Sequence, residues 1–416
     1  MLLENRGIAS MQDEYKKICL ILPGKLPVPN IKGGAIETLL TLLINQNEIE
    51  RKVKFIVICA WCEGIEEISK KYKYTEFHYF KVRIGLWKKI INFINYVIAR
   101  LTGNIDFFKT PMHYDIEKII KEIDADVVVV EHGVYKHFRF LKKYFKREQL
   151  YLHLHGAGPQ LTKDEAQVFG NIITVSRFLN NYYDKDNIRN CKKLVCLNGI
   201  NEINFKKCIT DEECVTLRKQ LGFSQSDFVV LYCGRLIPEK GVLELLKAVL
   251  SIKKISVKLL VIGASNFQGS VKTPYVLNLE KLIRNNNDRV VFTGYIPNEK
   301  LYKYYKISNV QVICSKCQEA AGLVAVEGSI SGLHLIVTDS GGLLEYCNSE
   351  NISIIEKNIY ENYDNESEYL IKNIKRHLEN YISLGTSQKT NENIYDETKF
   401  YSKNFYNRFI SILFLQ

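Results

Sequence analysis

The sequence predicts an α/β protein with two doubly wound, Rossmann-like domains that face each other across a cleft. The chain has 416 residues, which is more than a single hydrophobic core usually supports. Short apolar runs alternate with helical segments, and the runs lack the period-two pattern of strands with one face in water. This alternation restarts after residue 226, so we expect one covered parallel sheet in each half.

The composition narrows the classes of partner. Hydrophobic residues make up 46% of the chain and charged residues 25%, as in globular proteins. The net charge of +11 suits an anionic small substrate, an acidic membrane surface or a nucleic acid. The 25 tyrosines are scattered and do not interleave with a basic stripe, so we expect no nucleic-acid partner.

The cysteines predict free thiols. Most of the 11 lie in or beside apolar runs, where a thiol packs as a small hydrophobic group. Cys314 and Cys317 have CxxC spacing, but no second pair or histidine cluster completes a zinc site. Residues 1–17 contain no apolar core of signal-peptide length, and no apolar run reaches transmembrane length. We therefore expect a cytoplasmic location.

The first half opens with a predicted strand at residues 17–22, a loop rich in proline and glycine, and a helix at 35–45. Gly33 and Gly34 precede this helix, but their spacing matches neither the dinucleotide nor the P-loop fingerprint. A ligand contact and an ordinary loop are both open here. Further strands are predicted at residues 52–60, 126–132, 149–153, 171–175 and 193–197.

A helix predicted at residues 81–101 carries an apolar stripe with basic residues around it. The stripe consists of Trp87, Ile91, Ile94, Ile98 and Leu101. Such a helix covers a sheet more often than it lies in a membrane interface, and the sequence leaves both interpretations open.

His155 follows the strand at 149–153 and precedes two glycines. The carboxyl ends of parallel strands form the rim where open α/β sheets bind ligands, so the position favours a functional histidine. We interpret His153 and His132 as structural or supporting residues.

In the second half, strands are predicted at 227–233, 257–262, 289–292, 310–314 and 333–338, and helices at 242–252, 277–284 and 299–306. The chain then becomes rich in Asn, Lys and Tyr and reads as helical to its end. We expect domains at residues 1–200 and 201–395, with a helix at 396–416 that packs back on the first domain.

The most informative stretch lies between the strands at 310–314 and 333–338. A helix beginning near Ala320 or Ala321 and ending at Gly332 has Glu319 before it and Glu327 inside it. Amides of its first turn have no intrahelical partner and lie at the positive end of the helix dipole, where a phosphate binds. These are the amides of Gly322, Leu323 and Val324.

Two cations complete this pattern. Arg235 and Lys240 lie in one short loop after the strand at 227–233, at the same edge of the second sheet. An arginine fork and a lysine point charge suit a diphosphate, and carboxylates suit the hydroxyls of ribose and sugar. Each feature alone is typical of a solvated surface; together they predict a nucleotide-sugar site.

Seven segments in order resemble the retaining GT-B glycosyltransferases of family four (glycosyl transferases group 1), which build glycans from nucleotide sugars. The matching segments are 32–37, 153–156, 198–200, 234–241, 294–297, 319–327 and 338–342. The two glutamates with seven residues between them, downstream of the Arg…Lys-Gly loop, form the most specific part. Ala320-Ala321 departs from the commoner Pro-Phe, which bears on the shape of the sugar pocket.

The resemblance implies a role for each matching residue. Arg235 and Lys240 would bind the donor diphosphate and stabilise the leaving nucleotide, and Glu327 would hold the ribose hydroxyls. Glu319 would contact the donor sugar near the reacting carbon, and His155 would face that sugar. Other implied donor contacts are Gly322, Leu323 and Val324 at the phosphates or sugar, Gly34 closing on the phosphates, and Tyr295 and Ile296 near the base.

The implied reaction is a metal-independent transfer of a hexose, with retention, to a glycan or lipid-linked acceptor held by the first domain. No cofactor is implied, and we interpret the Asp124/Asp126 and Asp184/Asp186 pairs as solvated. Membrane contact through 81–101 would place the protein at the inner face of the membrane. Alternatives are a GT-B epimerase, which lacks this motif order, and a non-catalytic sugar-nucleotide-binding subunit. An oxidoreductase is weakest, because no glycine fingerprint follows any strand.

Overall fold

The computed structural model describes residues 15–82, 111–132, 135–183, 188–254, 256–265, 273–348, 350–357, 365–384 and 396–414. It also describes the single residues 90, 93, 94, 97 and 98. Its strands form two sheets of seven and six strands in which all neighbouring pairs are parallel. This confirms the predicted α/β class with two doubly wound sheets.

The first sheet has the strand order β3-β2-β1-β4-β5-β6-β7. Its strands are β1 Lys16–Ile21, β2 Val53–Ala60, β3 Thr75–Phe80, β4 Val127–Glu131, β5 Leu150–Leu154, β6 Asn171–Thr174 and β7 Lys192–Val195. The chain reverses its direction of winding between β1 and β4, so a crevice for ligands is expected beyond the carboxyl ends of these two strands.

The second sheet has the order β10-β9-β8-β11-β12-β13. Its strands are β8 Phe228–Cys233, β9 Val257–Ile262, β10 Val290–Gly294, β11 Val310–Ile313, β12 His334–Thr338 and β13 Ile352–Ile355. Here the reversal lies between β8 and β11.

Helices cover both faces of the sheets, which is why the central strands are apolar at successive positions. All five residues of β4 are buried, for example. The helices of the first half are α1 Ala35–Glu50, α2 Ile65–Ser69, α3 Pro111–Ile120, α4 Lys163–Ala166 and α5 Arg177–Tyr182. Those that follow are α6 Glu202–Lys206, α7 Asp211–Gln220, α8 Val242–Ser251, α9 Pro274–Arg284, α10 Asn298–Lys306, α11 Leu323–Ile330, α12 Glu366–Ser383 and α13 Ser402–Phe414.

Helix α13 packs on the first sheet although it follows the second in the chain. Phe405 and Phe409 are buried in the apolar cluster that also contains residues of α1 and β1. The Tyr406 hydroxyl donates to Asn47 Oδ1 at 2.6 Å, and Arg408 Nη2 donates to the Leu197 carbonyl oxygen at 2.7 Å. Both the apolar face and the polar anchors of α13 therefore bind it to the first half.

The described residues between 90 and 98 are helical and expose an apolar face. Ile90, Phe93, Ile94 and Val97 are 37%, 65%, 39% and 37% exposed, at the spacing of one helical stripe. Trp87, Ile91 and Leu101 of the predicted stripe lie outside the described residues. No helix in the described part of the chain has the length and apolar character needed to cross a membrane.

Candidate functional site

The cationic loop and the first predicted acid follow two adjacent strands at the reversal point of the second sheet. Arg235 and Lys240 follow β8, and Glu319 follows β11, which is hydrogen-bonded to β8. Since parallel strands end at the same edge, adjacency brings the two loops together.

Backbone and side-chain contacts join these loops. The Lys316 amide donates to the Glu239 carbonyl oxygen at 2.8 Å. Lys240 Nζ forms an ion pair with Glu319 Oε1, and the Ser315 hydroxyl donates to the same oxygen. The Lys240 and Glu319 side chains are only 18% and 15% exposed, so this pair is shielded from bulk water.

Gly241 allows this close approach. Its φ of +70° lies in the left-handed region, and a Cβ there would lie 2.1 Å from the Cys314 carbonyl oxygen. A side chain at this position would push the Lys240 loop away from the end of β11.

Arg235 is exposed at the same edge. Its backbone is held by the Tyr232 hydroxyl, which donates to the Arg235 carbonyl oxygen at 2.8 Å. In the described part of the chain no hydrogen bond or ion pair engages the guanidinium, whose fork thus stays available to an anion.

Helix α11 begins at Leu323, two or three residues later than the sequence predicted. Gly322 caps it without a side-chain hydrogen bond, and a Cβ at Gly322 would lie 2.6 Å from Leu343 Cδ1. The preceding turn is therefore pressed against its neighbour and does not enter the helix. The Leu323 and Val324 amides have no hydrogen-bond partner among the described residues, while Gly322 precedes the first turn. The helix ends before Gly332 as predicted, with φ +84° at this glycine.

Glu327 is buried in α11 beside a tyrosine. Its Oε2 accepts a hydrogen bond from the Tyr305 hydroxyl at 2.8 Å. Burial raises the pKa of Glu327 to about 7, although hydrogen bonds from Tyr305 and Asn298 act in the opposite direction. This carboxyl group is therefore poised to change charge near neutral pH.

The tip of α11 and the loop before it contact the first domain. Ala320 and Ala321 pack against its apolar cluster of β4, β5 and β6 residues. The Glu319 carbonyl oxygen accepts from the Gly342 amide at 2.7 Å. A few residues later, the Glu345 carboxylate accepts from the Arg177 amide at 2.9 Å. The position of Glu319 is thus linked to the contact between domains.

His155 lies at the carboxyl edge of the first sheet, in a buried cluster with Glu131 and His153. Glu131 Oε2 is 2.7 Å from His155 Nε2 and 3.0 Å from His153 Nδ1. Burial, reinforced by His153, lowers the pKa of His155 to about 4, against the pull of Glu131. Burial opposes ionisation of Glu131, but the two imidazoles lower its pKa to about 2.

The remaining predicted donor contacts are more dispersed. Gly34 caps α1 after β1, with φ +110°. Tyr295 and Ile296 follow β10; Tyr295 is 51% exposed, and Ile296 packs against an apolar cluster of the second domain. Among the described residues, no hydrogen bond joins these three to Arg235, Lys240 or Glu319.

Comparisons with known proteins identify the second domain. Residues 215–397 match the model of the family described as glycosyl transferases group 1. Most of the second half of the chain therefore resembles the group 1 glycosyltransferases, as the sequence motifs implied.

Two curated relatives match this chain over part of their length. The lipopolysaccharide 1,2-N-acetylglucosaminetransferase of Salmonella typhimurium is 29% identical over 229 residues, which are 53% of this chain and 57% of that enzyme. An uncharacterized glycosyltransferase of Methanocaldococcus jannaschii is 30% identical over 181 residues, 43% of this chain and 45% of that protein. The chain thus spans about half the length of these relatives.

A solved structure matches both domains. Anabaena HepE, in complex with UDP and glucose, has a TM-score of 0.69 and 17% identity, and the match covers 97% of this chain and 100% of that one. At this identity the likeness shows the fold, which is GT-B as the resemblance implied.

One group of ligand-type side chains within the described residues could hold a metal ion. The donor atoms of Glu131, His153 and His155 lie within 4.8 Å of one another. Asp124 pairs with Lys17 Nζ at 2.8 Å at the opposite edge of the sheet. Asp126 accepts from the Lys17 amide, and Asp184 and Asp186 lie outside the described residues.

Sequence reasoning missed Glu131, Tyr305 and Ser315. Glu131 ends an apolar strand and Ser315 follows one, so their position at strand ends is a signal that could have been used. Tyr305 offered no signal, because it lies in a different helix from Glu327, and only the fold of the second domain brings the two side chains together.

The glycine at the joined loops generates a prediction. Gly241→Ala should lower the free energy of unfolding by about 3 kcal/mol or more, because backbone strain adds to the clash with Cys314. Gly222→Ala is the matched control: Gly222 has φ +75° but no atom within 4 Å of a new Cβ. Only about 1 kcal/mol is expected there. Urea unfolding measures both, and equal losses would show that the contact with Cys314 is not tight.

Proposed function

We propose that this protein is a retaining glycosyltransferase that moves a hexose from a nucleotide-diphosphate donor to a glycan or lipid-linked saccharide. The observation that carries the proposal is that the loop with Arg235 and Lys240 and the loop with Glu319 follow adjacent strands at one reversal point, where Lys240 and Glu319 form an ion pair just before α11. We propose cell-surface polysaccharide or glycoconjugate synthesis as its setting, in line with the lipopolysaccharide-modifying relative.

The charges of the site suit this reaction. Breaking the sugar–phosphate bond leaves negative charge on the diphosphate and positive character on the sugar ring. Arg235, Lys240 and the amides at the start of α11 would stabilise the negative charge on the diphosphate. Such groups contribute most where charge develops in the transition state. Glu319 would stand beside the sugar carbon that becomes positive. We propose that these groups, rather than a metal ion or cofactor, supply the electrophilic assistance.

The other residues would hold the donor. Glu327 would accept from the ribose hydroxyls, and Tyr295 and Ile296 would lie beside the base. Gly34 would meet the phosphates from the first domain when the domains close, and His155 would face the donor sugar. UDP-glucose is the first donor to test, since UDP and glucose are bound in the HepE structure.

Removing a cation or the acid tests the reaction directly. Arg235→Ala and Glu319→Ala should each lower kcat at least about a hundredfold, because each removes a group that acts on developing charge. Far-UV circular dichroism should stay unchanged. Arg284→Ala removes an exposed arginine of α9 and is the control. Nucleotide release from a panel of UDP-, GDP- and ADP-sugars with saccharide acceptors is the assay, and full activity in both variants would refute the site.

The same assay separates the rival functions, which the similarity to glycosyltransferases does not favour. A GT-B epimerase would release free epimerised sugar from the donor alone. A non-catalytic subunit would show no turnover by itself. The product linkage, read by NMR, tests retention of the anomeric configuration, and activity in EDTA tests the independence from metal.

The raised pKa of Glu327 predicts a pH dependence of donor binding. Ribose hydroxyls donate to the ionised carboxylate, so affinity should increase as pH rises through the pKa of about 7. A single required ionisation gives about a tenfold tighter Kd at about pH 8 than at about pH 6. A nucleotide sugar suits the measurement, because its diphosphate does not titrate in this range.

Two variants check the origin of this effect by isothermal titration calorimetry. Glu327→Gln cannot ionise and should bind more weakly with no pH dependence. Tyr305→Phe removes a hydrogen bond that favours the charged form, so its transition should move to higher pH. A wild-type Kd that is constant across the range would contradict the assignment of Glu327.

We also propose peripheral contact with the inner face of a membrane. The exposed stripe of Ile90, Phe93, Ile94 and Val97, next to basic residues in the sequence, suits an anionic lipid surface. The protein should float with anionic vesicles at low salt, and Phe93→Asp should weaken binding about tenfold. Ile49→Asp, at a position 72% exposed on α1, is the control. A wild-type protein that stays in the unbound fraction would refute this contact.

A further inference from the structure

We infer that Glu131 is a positioning residue for the transfer reaction: its carboxylate fixes the orientation and tautomer of His155, so that Nδ1 presents a lone pair. The inference rests on the proposed function, in which His155 faces the donor sugar. The resemblance implies no role for Glu131.

The sheet register places Glu131 beside both histidines. Glu131 is paired with His153 across β4 and β5, and the His132 amide donates to the His153 carbonyl oxygen at 3.0 Å. His155 lies two residues beyond His153, so both rings reach the same side. As a result, Glu131 Oε2 lies between His155 Nε2 and His153 Nδ1.

The surroundings hold this arrangement tightly. The Glu131 side chain is fully buried, and those of His153 and His155 are 1% and 8% exposed. The two rings lie 4.1 Å apart between centroids, and Phe409 of α13 covers the His153 ring at 5.9 Å. Rotation of the His155 ring would break its hydrogen bond to a fully buried carboxylate, which is costly.

The proton positions follow from the charges. An ionised carboxylate only accepts hydrogen bonds, so the Nε2 atom facing Glu131 carries a hydrogen. Since His155 is neutral at physiological pH, its Nδ1 then has a lone pair and acts as an acceptor. Nδ1 makes no hydrogen bond to any described residue. It could accept from a sugar hydroxyl once the domains close, whereas the opposite tautomer could not.

A divalent metal ion is the competing explanation for the cluster. Ligating histidines nearly always donate their second ring nitrogen to an acceptor that orients them. Within the described residues, neither His153 Nε2 nor His155 Nδ1 has such a partner. His155 Nε2 is hydrogen-bonded to Glu131 Oε2, and His153 Nδ1 lies 3.0 Å from the same oxygen, which favours the carboxylate itself as the centre of the cluster.

The decisive measurement is the tautomer of His155 in the wild-type protein, with and without UDP. Long-range ¹⁵N–¹H spectra of histidine-labelled protein distinguish protonated from bare ring nitrogens, and His155→Gln assigns the signal. We expect protonated Nε2 and bare Nδ1. Protonated Nδ1 with bare Nε2, or a doubly protonated ring near neutral pH, would overturn the inference without any variant of Glu131.

Kinetics test the consequence. Glu131→Gln keeps the shape, but its amide can donate to Nε2 and move the hydrogen to Nδ1. We expect kcat to fall roughly 10- to 100-fold while the donor KM changes less than about threefold. Glu131→Asp, which keeps a carboxylate, should retain the wild-type tautomer, and its kcat should fall less than that of Glu131→Gln. Glu122→Gln, at an exposed position before β4, is the control and should match wild type.

The outcomes distinguish this inference from the proposed function. If no donor is turned over by wild type, the proposed function fails. If wild type is active and Glu131→Gln keeps both its kcat and the wild-type tautomer, the positioning role alone is overturned. One equivalent of zinc per purified chain, lost in Glu131→Gln, would also overturn it and assign the cluster to a metal.

Discussion

The adjacency of β8 and β11 is the constraint on which the candidate site depends. It forces the loop with Lys240 and the loop with Glu319 to share one strand end, where their charges form a shielded ion pair. Taking both charges from water is costly, and an ion pair seldom repays that cost fully. The ion pair is therefore weak evidence for a role in stability. In the proposed reaction, a diphosphate beside a sugar would use both charges.

The two sheets contribute unequal chemistry to the proposed reaction. The second supplies cations and helix amides, which suit a leaving diphosphate, while the first supplies a neutral imidazole held by an acid. Gly342 connects them: its amide holds the Glu319 carbonyl oxygen, and a Cβ there would lie 2.7 Å from Ser176 Oγ of the first domain. Movement between the domains would therefore shift the backbone of Glu319, and in the proposed reaction this would couple contacts with the sugar to domain closure.

The sequence predicted the central strands well, because burial on both faces makes them continuous apolar runs. It did not predict β3 and β13, which are edge strands with partly exposed residues. The predicted start of α11 was two or three residues too early, because hydrophobic periodicity cannot show that Leu343 packs closely against Gly322. Residues at strand ends were predictable, since topology brings them together. The Tyr305 contact was not, because it joins side chains of two different helices, and no strand end marks the place where they meet.

Two buried glutamates show how far surroundings decide the role of one residue type. Glu327 has a neutral tyrosine hydroxyl and an amide beside it, so the cost of burying its charge prevails and its pKa rises to about 7. Glu131 faces two imidazoles, which outweigh an equally complete burial and lower its pKa to about 2. A carboxyl group that changes charge near neutrality can link ribose binding to proton release. One that stays ionised cannot, but it can hold a histidine in a single tautomer through the reaction.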